Sequence, residues 1–361
     1  MQNERKKFPL ISQCIYANTA ATGLLSEDLL EWRQEHDLDY LIGGSTMKMK
    51  SNKMHSETRT VIGGFFNCPV DNVALVPNFT IGLNLLLEGL DKKEKVLVLD
   101  GDYPSLTWPF ESRGFETSVV EITSNLEERI YEAIKANNST VLALSIVQWL
   151  DGMRIDLSFL KQLKAEFPEL LIIADGTQYL GTTNFDFSNS ALDIIGASGY
   201  KWLLAGYGNG LLLTKEHAQQ RFKLLAKGYG SGRNTIEYEQ QRTFCKHLEP
   251  GHLDSLSFGS LRFSLEYLQG LGMDTMEAKL DELSERAKIG FAELGLLTDK
   301  VVSRKQHGTI FNIVANDAVY NLLLKNNIVC SQRGDGIRLS FHFYNTLEEI
   351  DAIIKILKKK N

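Results

Sequence analysis

The chain has 361 residues, 43% of them hydrophobic, and a formal net charge of −6. That length allows two domains with sizeable cores, and mild acidity without a long basic block or interleaved arginines and aromatics argues against nucleic acid as a partner. No apolar run approaches the roughly 20 residues that cross a bilayer, and Pro9, Ser12 and Gln13 interrupt the apolar core a secretory signal would need.

In chain order, ANTAATG (17–23) comes first, and the basic, Met-rich MKMKSNKMHSETR (47–59) reads as a solvated helix face or a loop on the substrate side. VPNFTIGLN (76–84) leads into the helix-like TIGLNLLLEGL (80–90). The strand KVLVLD (95–100) is followed by DYPSLTWPF (102–110), which carries aromatics at a strand end. TVLALSIV (140–147), LLIIAD (170–175), IIGAS (194–198) and GLLLT (210–214) are further strands, with LSFLKQLKAEF (157–167) as a helix among them. Nearly continuous apolar strands separated by helices predict an α/β domain, its mostly parallel sheet covered on both faces.

After Pro250 the pattern changes. A helical stretch over 254–270 leads to another over 274–295, then to the strands TIFNIV (309–314) and GIRLSF (336–341). The last helix, in TLEEIDAIIKILKKK, opens with Thr346 and has Glu349 three residues on, the spacing of a capping box. The expected organisation is an N-terminal arm (1–16) packing with the small domain, a large domain (17–253), and an interdomain helix with a small α+β domain (254–361).

The four cysteines, Cys14, Cys68, Cys245 and Cys330, are far apart and form no CxxC pair, which fits reduced thiols in a cytoplasmic protein. The seven histidines show no HExxH or comparable spacing, so no metal is expected.

In ASGYKWLLAGYGNGLLL (197–213) the only charged residue is Lys201. Ligands of open parallel sheets gather at the carboxyl ends of the strands; LLIIAD ends there with Asp175, and IIGAS delivers Ser198 and Lys201 just past another such end. A lysine and an acid at one sheet edge suit pyridoxal 5'-phosphate. A desolvated amine can form a Schiff base with the cofactor aldehyde, and a carboxylate can keep the pyridine nitrogen protonated. The plainer alternative is a lysine lying along a strand end and an aspartate that caps a turn.

ADGTQ (174–178), followed by SGYKWL (198–203) and a glycine run, resembles the signature of class V aminotransferases, the group that includes cysteine desulfurases. ANTAATG, VPNFTIGLN, EPGH (249–252) and IRLSFHFYNTLEEID (337–351) are similar to further motifs of that family, in the same order, so the resemblance covers nearly the whole chain. It implies fold type I of the pyridoxal-phosphate enzymes, with Lys201 as Schiff-base lysine and Cα base. By the same resemblance Asp175 faces the pyridine nitrogen and Gln178 the phenolic oxygen. Thr80 and Ser198 become phosphate ligands, with Phe79 standing where the family usually has a hydroxyl residue. Tyr200 replaces a frequent histidine. Tyr103 matches the residue that stacks on the pyridine ring, with Trp108 as its rival. His252 would reach the phosphate of a neighbouring subunit, which implies a homodimer with shared sites. Arg338 would grip the substrate α-carboxylate, with Asn18 of the opening motif also on the substrate side; His342 and Asn345 would hold the turn after Arg338.

Two glycine-rich stretches carry less. AGYGNG precedes a strand instead of opening a helix, so it is not a dinucleotide fingerprint. KGYGSGRN (227–234) reads as a glycine loop in which Arg233 could select an acidic side chain.

For the reaction, Cys330 stands eight residues before Arg338 and ends the strand-like NNIVC. That leaves no room for the long loop that carries a desulfurase thiol, and a buried structural cysteine is expected. The expected activity is transamination between a small L-amino acid and a keto acid. A lyase, of the cysteine or selenocysteine β-elimination or desulfurase-like kind, and an epimerase of the isopenicillin N type are the alternatives. A second arginine for a substrate phosphate is not evident. A non-catalytic binding protein of this fold would lack cofactor when purified.

Overall fold

In the computed structural model, which describes residues 2–231 and 244–359, seven strands form the central sheet. They are β1 (Val73–Val76), β2 (Lys95–Asp100), β3 (Glu116–Glu121), β4 (Val141–Ser145), β5 (Leu171–Asp175), β6 (Ile194–Ser198) and β7 (Gly210–Thr214), in the order β1-β7-β6-β5-β4-β2-β3. The run from β3 through β2, β4 and β5 to β6 is parallel, and β7 alone runs against its neighbours β6 and β1. The mostly parallel sheet expected from the apolar runs is therefore present.

Those runs are apolar on both sides because both faces of the sheet are covered. Leu97, Leu99, Leu142, Leu144, Ile172 and Ala174 enter one core, while Val96, Val98, Val141, Ala143, Leu171 and Ile173 enter the other. Alternate residues point to opposite faces, and each buried leucine or isoleucine contributes roughly 2 kcal/mol.

Helix α1 (Glu27–Gly43) begins at the Ser26 cap, whose hydroxyl accepts from Leu29 N. Helix α2 (Met47–Phe66) includes the Met-rich basic stretch. His55, Thr58, Ile62 and Phe66 recur at helical spacing and are buried, while Lys48, Met49, Lys50 and Lys53 face outward. Helix α3 (Phe79–Leu87) follows β1, and α4 (Leu157–Glu166) lies between β4 and β5. Beyond Pro250, α5 (Ser255–Leu271) packs against α2, and α6 (Met273–Glu293) follows it.

A second, antiparallel sheet has the order β9-β10-β8, with β8 at Ile310–Ile313, β9 at Ser331–Arg333 and β10 at Gly336–Ser340. The final helix, α7 (Leu347–Lys358), carries the capping box, with Thr346 and Glu349 satisfying each other's N–H groups. At the other end of the chain, Ile15–Tyr16 pairs in parallel with Ile328–Val329. Arg5 bonds Glu349 at 2.7 Å, and Phe8 packs edge-on against Phe343. Ser340 N then donates to Ala17 O, and Gly23 N to Tyr200 O, so residues 17–23 run from the small sheet to the segment after β6. No helix among the described residues is long and apolar enough to cross a membrane.

Candidate active site

Strands β2, β4, β5 and β6 end at one edge of the sheet. Ser145 is the register partner of Asp175, and Asp175 of Gly196. Side chains from these ends, from the start of α3 and from the turn after β6 enclose a cavity of about 400 Å³. Of the residues singled out in the sequence, Phe79, Thr80, Tyr103, Asp175, Gln178, Ser198, Tyr200 and Lys201 all line it. Arg338, Asn18 and His252 do not.

Lys201 follows β6 on a turn pressed against the N-terminal segment. A Cβ on Gly23 would lie 2.0 Å from Lys201 O, so only glycine lets the two backbones meet. The lysine is 5% exposed, and among the described residues its Nζ has no hydrogen-bond acceptor; the rings of Tyr103 and Tyr200 lie 5.4 and 5.6 Å away. Burial pushes the ammonium below its ordinary pKa, Asp175 opposes that shift, and Arg338 adds to it. Burial likewise pushes the Asp175 carboxyl up, against bonds from Thr177 and the attraction of Lys201.

Gln178 is oriented by its neighbours. The indole N–H of Trp202, which can only donate, bonds Oε1 at 2.7 Å, and Nε2 donates to Ala20 O at 3.0 Å. Nε2 therefore carries a second hydrogen beside the cavity, as a phenolate oxygen would require.

At the start of α3, Asn78 Oδ1 accepts from Ile81 N and Asn78 O from Gly82 N, while Ser198 Oγ accepts from Phe79 N. Thr80 is the first-turn amide left without a protein acceptor among the described residues, and its side chain lines the cavity. Free N–H groups and the helix dipole suit a phosphate there. Tyr200 stacks on Tyr207, with centroids 4.4 Å apart, and Tyr207 in turn bonds Thr22 Oγ1 at 2.7 Å.

Arg338, on β10, is 3% exposed and reaches the site through Trp149, donating from Nη1 to its carbonyl at 2.7 Å. Its guanidinium lies 6.0 Å from the Trp149 ring, and among the described residues its buried Nε has no hydrogen-bond partner. Burial, reinforced by Arg333, pushes its pKa down to about 10, so it stays cationic at neutral pH. Asn18 accepts from Ser331 Oγ at 2.7 Å and bridges to Ser340 through its backbone, which ties the opening motif to the small sheet. His252 stacks on Tyr229 at 5.2 Å and borders a different cavity, with Lys48 and Arg59. His342 is fully buried between Trp202 O and Phe343 N, and burial holds it neutral with a pKa of about 4. Asn345 donates to Tyr16 O and Glu349. Trp108 is 64% exposed, whereas Tyr103 faces Lys201, which separates the two rivals for the ring wall. Arg233 lies outside the described residues.

Sequence reading missed Trp149, Ser145, Asp102 and Tyr207. Ser145 lies near the end of the stretch TVLALSIV and Trp149 two residues past it, so their place at a carboxyl end was a usable signal. The bonds of Asp102 join residues 43 and 46 positions apart, and no local pattern announces them.

Together these groups can hold an aldehyde at an amine, an aromatic nitrogen at a carboxylate, a phosphate at a helix start and a carboxylate at an arginine. The unpartnered Lys201 amine, the spare Gln178 hydrogen and the orphaned Arg338 Nε are the donors such a cofactor and an amino acid would use.

The sequence matches the family described as Aminotransferase class-V over residues 15–353. A probable cysteine desulfurase of Pyrococcus abyssi is 22% identical, the alignment covering 99% of this chain and 97% of that protein. The apo structure of a cysteine desulfurase from Thermococcus onnurineus superposes with a TM-score of 0.86 at 19% identity, covering 99% and 97% of the two chains. A cystine C–S lyase solved with its reaction product, cysteine persulfide, gives 0.86 at 18% identity, over 97% and 98%.

Proposed function

The chain belongs to the aminotransferase class-V family and has fold type I of the pyridoxal-phosphate enzymes, and from that premise we propose that it is an aminotransferase acting on a small L-amino acid. The cofactor is pyridoxal 5'-phosphate. When bound, it supplies an electron sink that makes the Cα–H bond of an amino acid acidic.

The remaining work falls to this chain's side chains. Lys201 would anchor the cofactor and, once an amino acid has displaced it, would take the Cα proton on Nζ and deliver it to the carbon on the far side of the amino nitrogen. Its lowered pKa leaves more of the amine unprotonated near neutrality. Asp175 would hold its charge toward the pyridine nitrogen, Gln178 would donate to the phenolic oxygen, and Thr80 and Ser198 would hold the phosphate end. Arg338 receives the α-carboxylate through two parallel hydrogen bonds, which fixes the Cα–H bond for removal. Tyr103, Tyr200 and Trp149 exclude water. A second copy of the chain, with His252 reaching the neighbouring phosphate, completes the assembly in this reading.

The observation that sets transamination above desulfuration by persulfide transfer is the absence of any thiol from the cavity lining. All four cysteines are among the described residues, and none lines the cavity. Cys330 is buried in the core, and burial pushes its pKa up to about 12, so it is not a thiolate that could take sulfur from a substrate. Transamination needs only the lysine.

A second reading is a lyase acting at a C–S bond, favoured by the desulfurase name of the Pyrococcus relative and by the structurally similar C–S lyase; of these, elimination without persulfide transfer needs no enzyme thiol. Adding single L-amino acids without a keto acid separates the two. Stoichiometric keto acid with pyridoxamine phosphate supports transamination; pyruvate and a sulfur product formed over many turnovers would replace it with elimination.

A further inference from the structure

Asp102 lies two residues past the end of β2 and is 5% exposed. It forms no ion pair among the described residues; hydrogen bonds alone hold its carboxylate. Oδ1 accepts from Tyr103 N at 2.7 Å and from Ser145 Oγ at 2.5 Å. Oδ2 accepts from Ser145 N at 2.8 Å and from Gln148 Nε2 at 3.4 Å. Each oxygen thus receives a main-chain N–H, one from the segment after β2 and one from the end of β4. An asparagine here has one oxygen and one NH₂, so either orientation sets a donor against a backbone donor. An alanine would leave both N–H groups buried and without this acceptor.

The two segments joined in this way both face the cofactor cavity. Tyr103 carries the ring 5.4 Å from Lys201 Nζ, and Ser145 lines the cavity as the register partner of Asp175. Trp149, four residues beyond Ser145, packs edge-on against Tyr103 with centroids 5.7 Å apart. The ring wall therefore rests on the carboxylate from both sides.

We propose that Asp102 is a positioning residue for the cofactor: its carboxylate clamps the β2 and β4 ends together and fixes the plane of the Tyr103 ring, against which the pyridine would pack. Asp102 touches neither cofactor nor substrate and acts through Tyr103 and Ser145. The inference rests on the pyridoxal-phosphate reading above.

The test is reconstitution of apoprotein with pyridoxal 5'-phosphate, followed by visible absorbance and by visible circular dichroism, which reports how rigidly the bound chromophore is held. Wild type is the control, and failure to bind there overturns the cofactor reading along with this one. With wild type binding, Asp102→Asn is expected to raise the dissociation constant about tenfold or more and to weaken the dichroism of the bound cofactor. Ser145→Ala removes only the hydroxyl and is expected to give a smaller change in the same direction. If Asp102→Asn binds the cofactor with wild-type affinity and dichroism, the clamp is structural only and the proposal fails while the cofactor reading stands. If Asp102→Asn does not fold, Ser145→Ala decides: an unchanged constant and spectrum overturn the proposal.

Discussion

Asp175 and Lys201 are buried in one cavity, where loss of water drives each toward its neutral form and each draws the other back toward charge. The pair is held between these tendencies by the surroundings, which is how a lysine becomes a usable nucleophile and base near neutrality.

Removing the Asp175 charge should therefore move Lys201 further from its ordinary value. In the apoprotein of Asp175→Asn, the pH at which the Lys201 amine becomes reactive should fall. The carboxylate stabilises the ammonium, so its loss favours the free amine at lower pH. The rate of borohydride trapping with a simple aldehyde, followed against pH, measures this; an unchanged midpoint would mean that the two groups do not interact.

Arg338→Lys keeps a cation but loses the planar fork. With the α-carboxylate as its ligand, KM should rise by roughly ten- to a hundredfold, since charge-assisted bonds contribute about 1.5–3 kcal/mol. Cofactor affinity should stay near wild type. Steady-state kinetics beside a cofactor titration separates the two effects, and an unchanged KM would remove Arg338 from substrate binding.

Gly23→Ala would place a methyl group 2.0 Å from Lys201 O. The backbones must then part, at a cost of about 1–3 kcal/mol, and the lysine turn moves with them. Thermal unfolding should fall and cofactor binding weaken together; a wild-type cofactor constant would mean that the turn does not depend on this contact.

Cys330→Ala should leave turnover intact and cost about 1 kcal/mol of stability, because this thiol belongs to the core. Loss of activity in a folded Cys330→Ala protein would return persulfide chemistry to consideration.

The strands of the central sheet were legible because burial on both faces leaves a continuous apolar run, and the capping box of α7 because its spacing is local. That β7 runs antiparallel was not, since GLLLT reads the same in either direction. Lys201 and Asp175 could be found because each is a lone charge at the end of an apolar strand. Tyr207 lines the same cavity, and Asp102 is tied to its wall through Ser145, 43 positions on, by contacts that no local pattern announces. His252 and Asn18 were picked out by motif position alone; they stand apart from the Lys201 cavity in the single chain, His252 beside Tyr229 and Asn18 on Ser331.

The central claim is that Lys201 carries the cofactor. Reducing the reconstituted protein with borohydride, digesting it and mapping the pyridoxyl group tests that directly. The account predicts one modified lysine, in the peptide containing ASGYKWL, and no stable adduct at a defined site in Lys201→Ala. A pyridoxyl group at one other lysine in the wild type, or trapping at a single site that survives in Lys201→Ala, would contradict it.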